Sequence, residues 1–255
     1  MNALTPHEIS SVANPRVKHL VRLRQRSHRD ECGETIVEGY REVNAALDNG
    51  HAPTALYVCR DFFQGSNNEA LLARAQEAGA DVVNCTASVF EKISYRDRPD
   101  GLLAVAPQVR HALSDITLRD DTILVVAESI EKPGNLGTML RSCDASGVSG
   151  VIICDRCTDI NNPNVVRASV GTLFALPVVE TSSADVIPWL RDHHFRTIAT
   201  TPHAEGCYTD VDLGGRIAVI MGTEQYGLSP TWLDAADLCV RIPMLGQADS
   251  LNVAS

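Results

Sequence analysis

At 255 residues the chain is long enough for one large domain or two small ones, and 44% hydrophobic with 21% charged residues is the balance of a globular protein rather than a disordered or fibrous one. No apolar run approaches the roughly 18 residues of a membrane span, and the first residues lack a basic-then-apolar leader, so a cytoplasmic protein is expected. Eight irregularly spaced cysteines then read as reduced, mostly buried thiols, and a net charge of −10 argues against a surface that is basic all over.

In chain order, Asn14-Pro15 predicts a helix start, with Asn as cap, Pro at the first helical position and Val17, Leu20 and Val21 as an apolar stripe. Six basic residues follow without an acid between them: Arg16, Lys18, Arg22, Arg24, Arg26 and Arg29. Only 16 other Lys or Arg are spread among 32 acidic residues, so basic charge is concentrated here. Screening confines electrostatics to about 8–10 Å, which lets a local stripe hold phosphates on an acidic protein; the alternative is a solvated helix face. Thr35 to Val37 reads as a strand, followed by a helix to Asn49-Gly50. Strands near Leu56 to Cys59 and Val82 to Cys85 flank a helix ending at Ala78-Gly79. Ser88 with Glu91 has capping-box spacing, and Leu102 to Ala106 is a further strand. Residues 1–107 therefore form a small α/β domain, and the polar stretch 108–120 is read as a linker.

From Thr122 the pattern restarts with buried-type strands: Ile123 to Ala127, Val151 to Cys154, Pro177 to Val179, Thr197 to Thr200, Ile217 to Met221 and Leu238 to Ile242. Near-continuous apolar strands alternating with helices predict a parallel sheet covered on both faces, with ligand at the carboxyl ends of its strands. Three motifs sit at or just after such ends. The first, Asn135-Leu136-Gly137-Thr138-Met139-Leu140-Arg141, follows Glu128 to Gly134, which is not a dinucleotide-binding glycine fingerprint. Asn135 is expected to cap the helix running to about Ser146, with Arg141 nearly two turns on. The second runs from Gly222 through Glu224 and Gly227 to Ser229-Pro230, and Gly222 is expected to leave room for a bound nucleoside. In the third, Ile242 and Leu251 offer apolar contacts, while Ser250 and Asn252 carry polar groups. Cys154 and Cys157, with His203 and Cys207, have zinc-ligand chemistry but not the tight paired spacing of a zinc site, so no metal is expected.

Order and spacing of these motifs closely resemble the SpoU (TrmH-like) RNA ribose 2′-O-methyltransferases. The resemblance implies a SPOUT-type parallel-sheet domain over 121–255, threaded as a deep trefoil knot, a rare exception to unknotted topology. It also implies S-adenosylmethionine as cofactor and a homodimer that assembles its sites across the subunit interface. By position, Gly222, Ile242 and Leu251, and more weakly Thr200, match cofactor contacts. Arg141 matches the catalytic arginine, and Asn135, Glu224, Ser250 and Asn252 match the remaining polar set. Residues from Asn14-Pro15-Arg16 through Val37-Glu38-Gly39 and Arg41 to Pro107 resemble the ribosomal-protein-like RNA-binding domain joined to many of these enzymes. Family members usually continue beyond Ser-Leu-Asn-Val with a helix of about five turns that is missing here. Ribosomal RNA is the expected substrate; the alternatives are transfer RNA, or a non-catalytic RNA-binding or assembly factor on the same fold.

Overall fold

A computed structural model describes residues 8–66, 68–155, 158–247 and 250–254. The chain divides into two compact units, Met1–Val109 with Asn161–Ala175, and Arg110–Ile160 with Leu176–Ser255. Among the described residues no helix is long and apolar enough to cross a membrane.

In the first unit, β1 (Glu8–Ile9), β2 (Glu34–Glu38), β3 (Ala55–Val58), β4 (Asp81–Cys85) and β5 (Leu102–Pro107) form a mixed sheet in the order β1-β4-β3-β5-β2. Helices α1 (Pro15–Arg22), α2 (Arg26–Cys32), α3 (Tyr40–Asp48), α4 (Asn68–Glu77) and α5 (Ala87–Ile93) accompany it. α1 starts as its sequence dictates, with Asn14 Oδ1 accepting from Arg16 N at 2.8 Å and Pro15 at the first position. Its apolar stripe, continued by Leu23, enters a core with Ile36, Phe90 and Leu103. The basic run is not one helix, because it breaks between Arg22 and Arg26 into α1 and α2. α5 also departs from expectation: Thr86 occupies the cap position without a side-chain capping bond, and Ser88 lies inside the helix.

The segment Asn161–Ala175 contributes α7 (Pro163–Ala168) to this unit although it lies in sequence between two strands of the other sheet. Thr35 Oγ1 donates to the Asn161 carbonyl at 2.7 Å, and the Asn161 side chain pairs with both backbone groups of Val109, at 2.8 and 3.0 Å. Val165, Val166 and Leu173 are fully buried.

The second unit is a seven-stranded parallel sheet of order β10-β12-β9-β11-β6-β7-β8. Its strands are β6 (Ile123–Glu128), β7 (Gly150–Cys154), β8 (Val178–Thr181), β9 (Arg196–Thr200), β10 (Gly206–Cys207), β11 (Ile217–Met221) and β12 (Leu238–Arg241). Helices α6 (Pro133–Ala145), α8 (Ser183–Asp192) and α9 (Pro230–Ala235) belong to it. β7 is buried along its whole length and β6 along all but its first residue, the signature of a sheet covered on both faces. Residues 108–120 are not a free tether. Val109 closes the first unit, while Ile116 packs into the core of the second with Leu124, Val179 and Trp232.

Candidate functional site

Because all strands of the second sheet are parallel, their carboxyl ends share one edge, and the in-register pair Ala127–Met221 brings the loop after β6 beside the loop after β11. Backbone strain sits at this edge. Ser129, just after β6, and Asp155, just after β7, have φ of 54° and 64°, a left-handed region costly for residues other than glycine.

α6 begins at Pro133, with Lys132 in the cap position, so Asn135 is not the cap but the third residue of the first turn. Proline's preset φ fixes the start three residues earlier than a cap at Asn135 would put it. Freed from capping, the Asn135 amide donates to Glu224 Oε1, and Lys132 Nζ donates to Glu224 Oε2 at 2.5 Å. The Lys132 hydrogen bond holds the Glu224 carboxyl below its usual range, and Glu224 in turn raises the Lys132 ammonium. Lys132 lies in the segment flanking the first motif but carries no spacing signal; its role becomes visible only when residues 92 apart in sequence meet.

Glu224 is presented by a tight loop in which Thr223 and Gly227 exchange backbone hydrogen bonds of 3.0 and 3.1 Å, with Gly227 left-handed at φ 67°. Gly222 is required by this loop itself, since a Cβ there would drive into the Gly227 carbonyl and the Leu228 amide. Its small size is thus required by the chain's own backbone. Beyond the loop, buried Glu128 at the end of β6 accepts from Ser229 N at 2.8 Å and fixes the entry to α9. Thr200 Oγ1 donates to the Ile220 carbonyl at 2.8 Å, tying β9 to β11 near this edge.

Arg141 stands exposed on α6, with no hydrogen bond or ion pair to any described residue. Ile242 and Leu251 are apolar yet 48% and 52% exposed. Ser250 is exposed, and Asn252 Oδ1 accepts from Ala254 N at 2.9 Å in a local turn. The structure therefore joins Asn135, Glu224 and Lys132, and leaves Arg141 and the third motif at the surface. Cys154 is buried in β7 and Cys207 takes a hydrogen bond from Thr209, while Cys157 lies outside the described residues.

In the first unit the basic residues divide by role. Lys18 and Arg22 are exposed, Arg16 pairs with Asp81 at 2.8 Å, and Arg26 with Asp30 at 3.5 Å. Arg24 donates to the carbonyls of Lys92 and Ser94 and lies over the Tyr95 ring. Arg29 is only 1% exposed, which corrects its reading as an RNA contact: its guanidinium donates to the carbonyls of Leu23 and Arg24 at 2.8 and 2.9 Å and braces the break between α1 and α2. Exposed Arg41 lines a polar cleft of about 760 Å³ together with Tyr40, Gln64, Arg98 and Arg167.

Residues 122–255 match the SpoU rRNA Methylase family and residues 14–104 the MRM3-like substrate binding domain, which defines the class: an RNA methyltransferase carrying its own substrate-binding unit. The chain is 30% identical over 240 residues, 91% of its length and 83% of the relative's, to the 23S rRNA (uridine(2479)-2′-O)-methyltransferase of Streptomyces viridochromogenes. It is 26% identical over 247 residues, 97% of its length and 94% of the relative's, to the 23S rRNA (guanosine(2553)-2′-O)-methyltransferase RlmP of Bacillus subtilis. Among solved structures it resembles the AdoMet-bound rRNA methyltransferase of Sinorhizobium meliloti, with a TM-score of 0.88, 33% identity and coverage of 97% of this chain and 92% of that one. The chain belongs to the SpoU rRNA methylase family, and it is an RNA ribose 2′-O-methyltransferase.

Proposed function

We propose that the chain methylates a ribose 2′-hydroxyl of ribosomal RNA, using S-adenosylmethionine bound at the carboxyl edge of the second sheet. The observation that carries the placement is the Lys132–Glu224–Asn135 cluster, which fastens the first motif to the second at that edge. Donor chemistry fits there: Ile242, directly after β12, and Leu251, ten residues on, leave apolar side chains exposed that suit a purine, and Gly222 with Thr200 belongs to the same edge. When bound, S-adenosylmethionine supplies an electrophilic sulfonium methyl for in-line displacement.

The chain's own residues then hold the RNA. Arg141 is free to make a bidentate contact with the phosphate beside the target ribose and so aim its hydroxyl. Family proposals make this arginine the general base, but a guanidinium stays protonated at ordinary pH, and we assign it phosphate binding and orientation. We assign Ser250 and Asn252 further polar contacts with the target ribose or the cofactor. Lys18, Arg22, Arg26 and Arg41 carry RNA on the first unit through phosphate contacts. The same reading makes the protein a cytoplasmic homodimer whose last segment threads a trefoil knot. Ribosomal rather than transfer RNA is favoured by the relatives' substrates and by the separate substrate-binding unit.

Mapping 2′-O-methylated nucleotides in ribosomal RNA from cells with and without the gene tests this. One methyl lost on deletion, restored by the wild type and not by Arg141→Ala, is expected. An unchanged ribosomal map with a methyl lost from transfer RNA would overturn the substrate, and no change in either would favour an assembly factor.

A further inference from the structure

We propose that His19, His28 and Cys32 bind a divalent transition-metal ion of the zinc class, which clips α1 to α2 in the RNA-binding unit. Sequence spacing gives no hint of this, because the three ligands straddle the helix break. His19 lies in the last turn of α1, whereas His28 and Cys32 stand four residues apart on one face of α2. One ligand atom from each lies within 4.8 Å of the other two.

One edge of this triangle fits a tetrahedral ion as it stands. Bonds of about 2.0–2.1 Å to nitrogen and 2.3 Å to sulfur place nitrogens about 3.3 Å apart and nitrogen about 3.6 Å from sulfur. Here His19 Nδ1 and His28 Nε2 are separated by 3.1 Å, while Cys32 Sγ, 3.6 Å from His28 Nε2 and 3.8 Å from its Nδ1, stands beside the ring and would reach the ion by rotation of its exposed side chain.

A carboxylate stands behind each histidine. His19 Nε2 faces Glu34 Oε2 at 2.8 Å, and His28 Nδ1 faces Glu31 Oε2 at 3.3 Å. In the tautomer whose N–H groups go to the carboxylates, the two nitrogens 3.1 Å apart turn their lone pairs toward a shared ion. A carboxylate behind each ligating histidine is also the usual outer support of a zinc site. Imidazole and thiolate donors select zinc, cobalt or copper over magnesium or calcium. Cys32 is exposed, so it can be reached from solvent; it loses its thiol proton to water on binding, and water takes the fourth position. The ion would cross-link the helix bearing Lys18 and Arg22 to the helix bearing Arg26, making the geometry of the basic surface metal-dependent.

The test uses the full chain, stripped with chelator and titrated with zinc or cobalt(II), followed by elemental analysis and absorption spectroscopy. We expect one zinc per chain and a thiolate-to-cobalt charge-transfer band. Cys32→Ser should abolish the band, Glu34→Gln should weaken zinc binding roughly 10–100-fold, and Cys207→Ser should leave both readouts unchanged. Melting curves establish that each variant is folded, and buried His28 is left intact for that reason. Failure of the wild type to take up stoichiometric zinc overturns the proposal. So does uptake that survives the double variant His19→Gln/Cys32→Ser. Imidazole nitrogen shifts showing an imidazolium between His19 and His28 in zinc-saturated protein would make the cation a proton and equally refute it.

Discussion

Replacing Gly222 with alanine tests the loop that presents Glu224. The added Cβ would sit inside the backbone of Gly227 and Leu228, so the loop must retreat by about 1 Å or more to restore ordinary van der Waals distances. Overpacking of this kind costs about 1–3 kcal/mol, and the two Thr223–Gly227 backbone hydrogen bonds put at risk add roughly 0.5–1.5 kcal/mol each. A total of about 2–6 kcal/mol corresponds to a melting temperature lowered by roughly 4–24 °C for a chain of this size. The retreat also draws Glu224 away from Asn135 and Lys132, so S-adenosylmethionine affinity should fall with stability. Calorimetric melting and cofactor titration measure the two effects side by side. Gly246→Ala, whose Cβ would meet open space, is the matched control and should be silent. If Gly222→Ala melts like the wild type while losing the cofactor, the glycine is there for the ligand and the loop argument is wrong.

Reversing Lys18, Arg22 and Arg26 to Glu should weaken RNA binding and flatten its salt dependence by roughly 0.7–0.9 for each phosphate no longer neutralised, read from affinities over a salt series; an unchanged slope returns these residues to a solvated face. Arg29→Met removes two hydrogen bonds from a buried cation, each worth about 1.5–3 kcal/mol, so melting should show a loss of about 3 kcal/mol or more; a variant as stable as the wild type would refute the bracing role. Lys132→Met should move the acid limb of cofactor binding to higher pH. The Lys132 hydrogen bond depresses Glu224, so the cluster persists above the ordinary carboxylate range and is lost only as pH falls through the lowered value; titrations across pH with identical limbs would count against it. Arg141→Lys should keep part of the single-turnover activity that Arg141→Ala loses, and a Lys variant that gains activity as pH rises would instead favour proton abstraction.

The strands of the second sheet were legible because burial on both faces leaves near-continuous apolar runs, and Ile217–Met221 has the bounds its sequence suggests. Helix starts were less so. At α6, Pro133 and Asn135 are rival start signals two residues apart, and the proline prevails. The α1–α2 break was hidden because Leu23 continues the apolar stripe, and what stabilises the break is Arg29 reaching back five and six residues. An arginine in a basic run looks like its neighbours until burial separates them. Lys132 was likewise invisible, since ion pairs between strand-end loops obey no sequence period.

Asn161–Ala175 gives the architecture a genetic consequence. The backbone passes between the two units three times, at residues 109–110, 160–161 and 175–176, so no single cut yields a complete RNA-binding unit. A fusion that swapped the first 109 residues for another module would strand Val165, Val166 and Leu173 without their buried seat, and would remove the hydroxyl of Thr35 from the Asn161 carbonyl. Recombination that changes which RNA is recognised has to carry two separated stretches of gene together. Inherited change by point substitution on the exposed basic helices is the easier route to a new target.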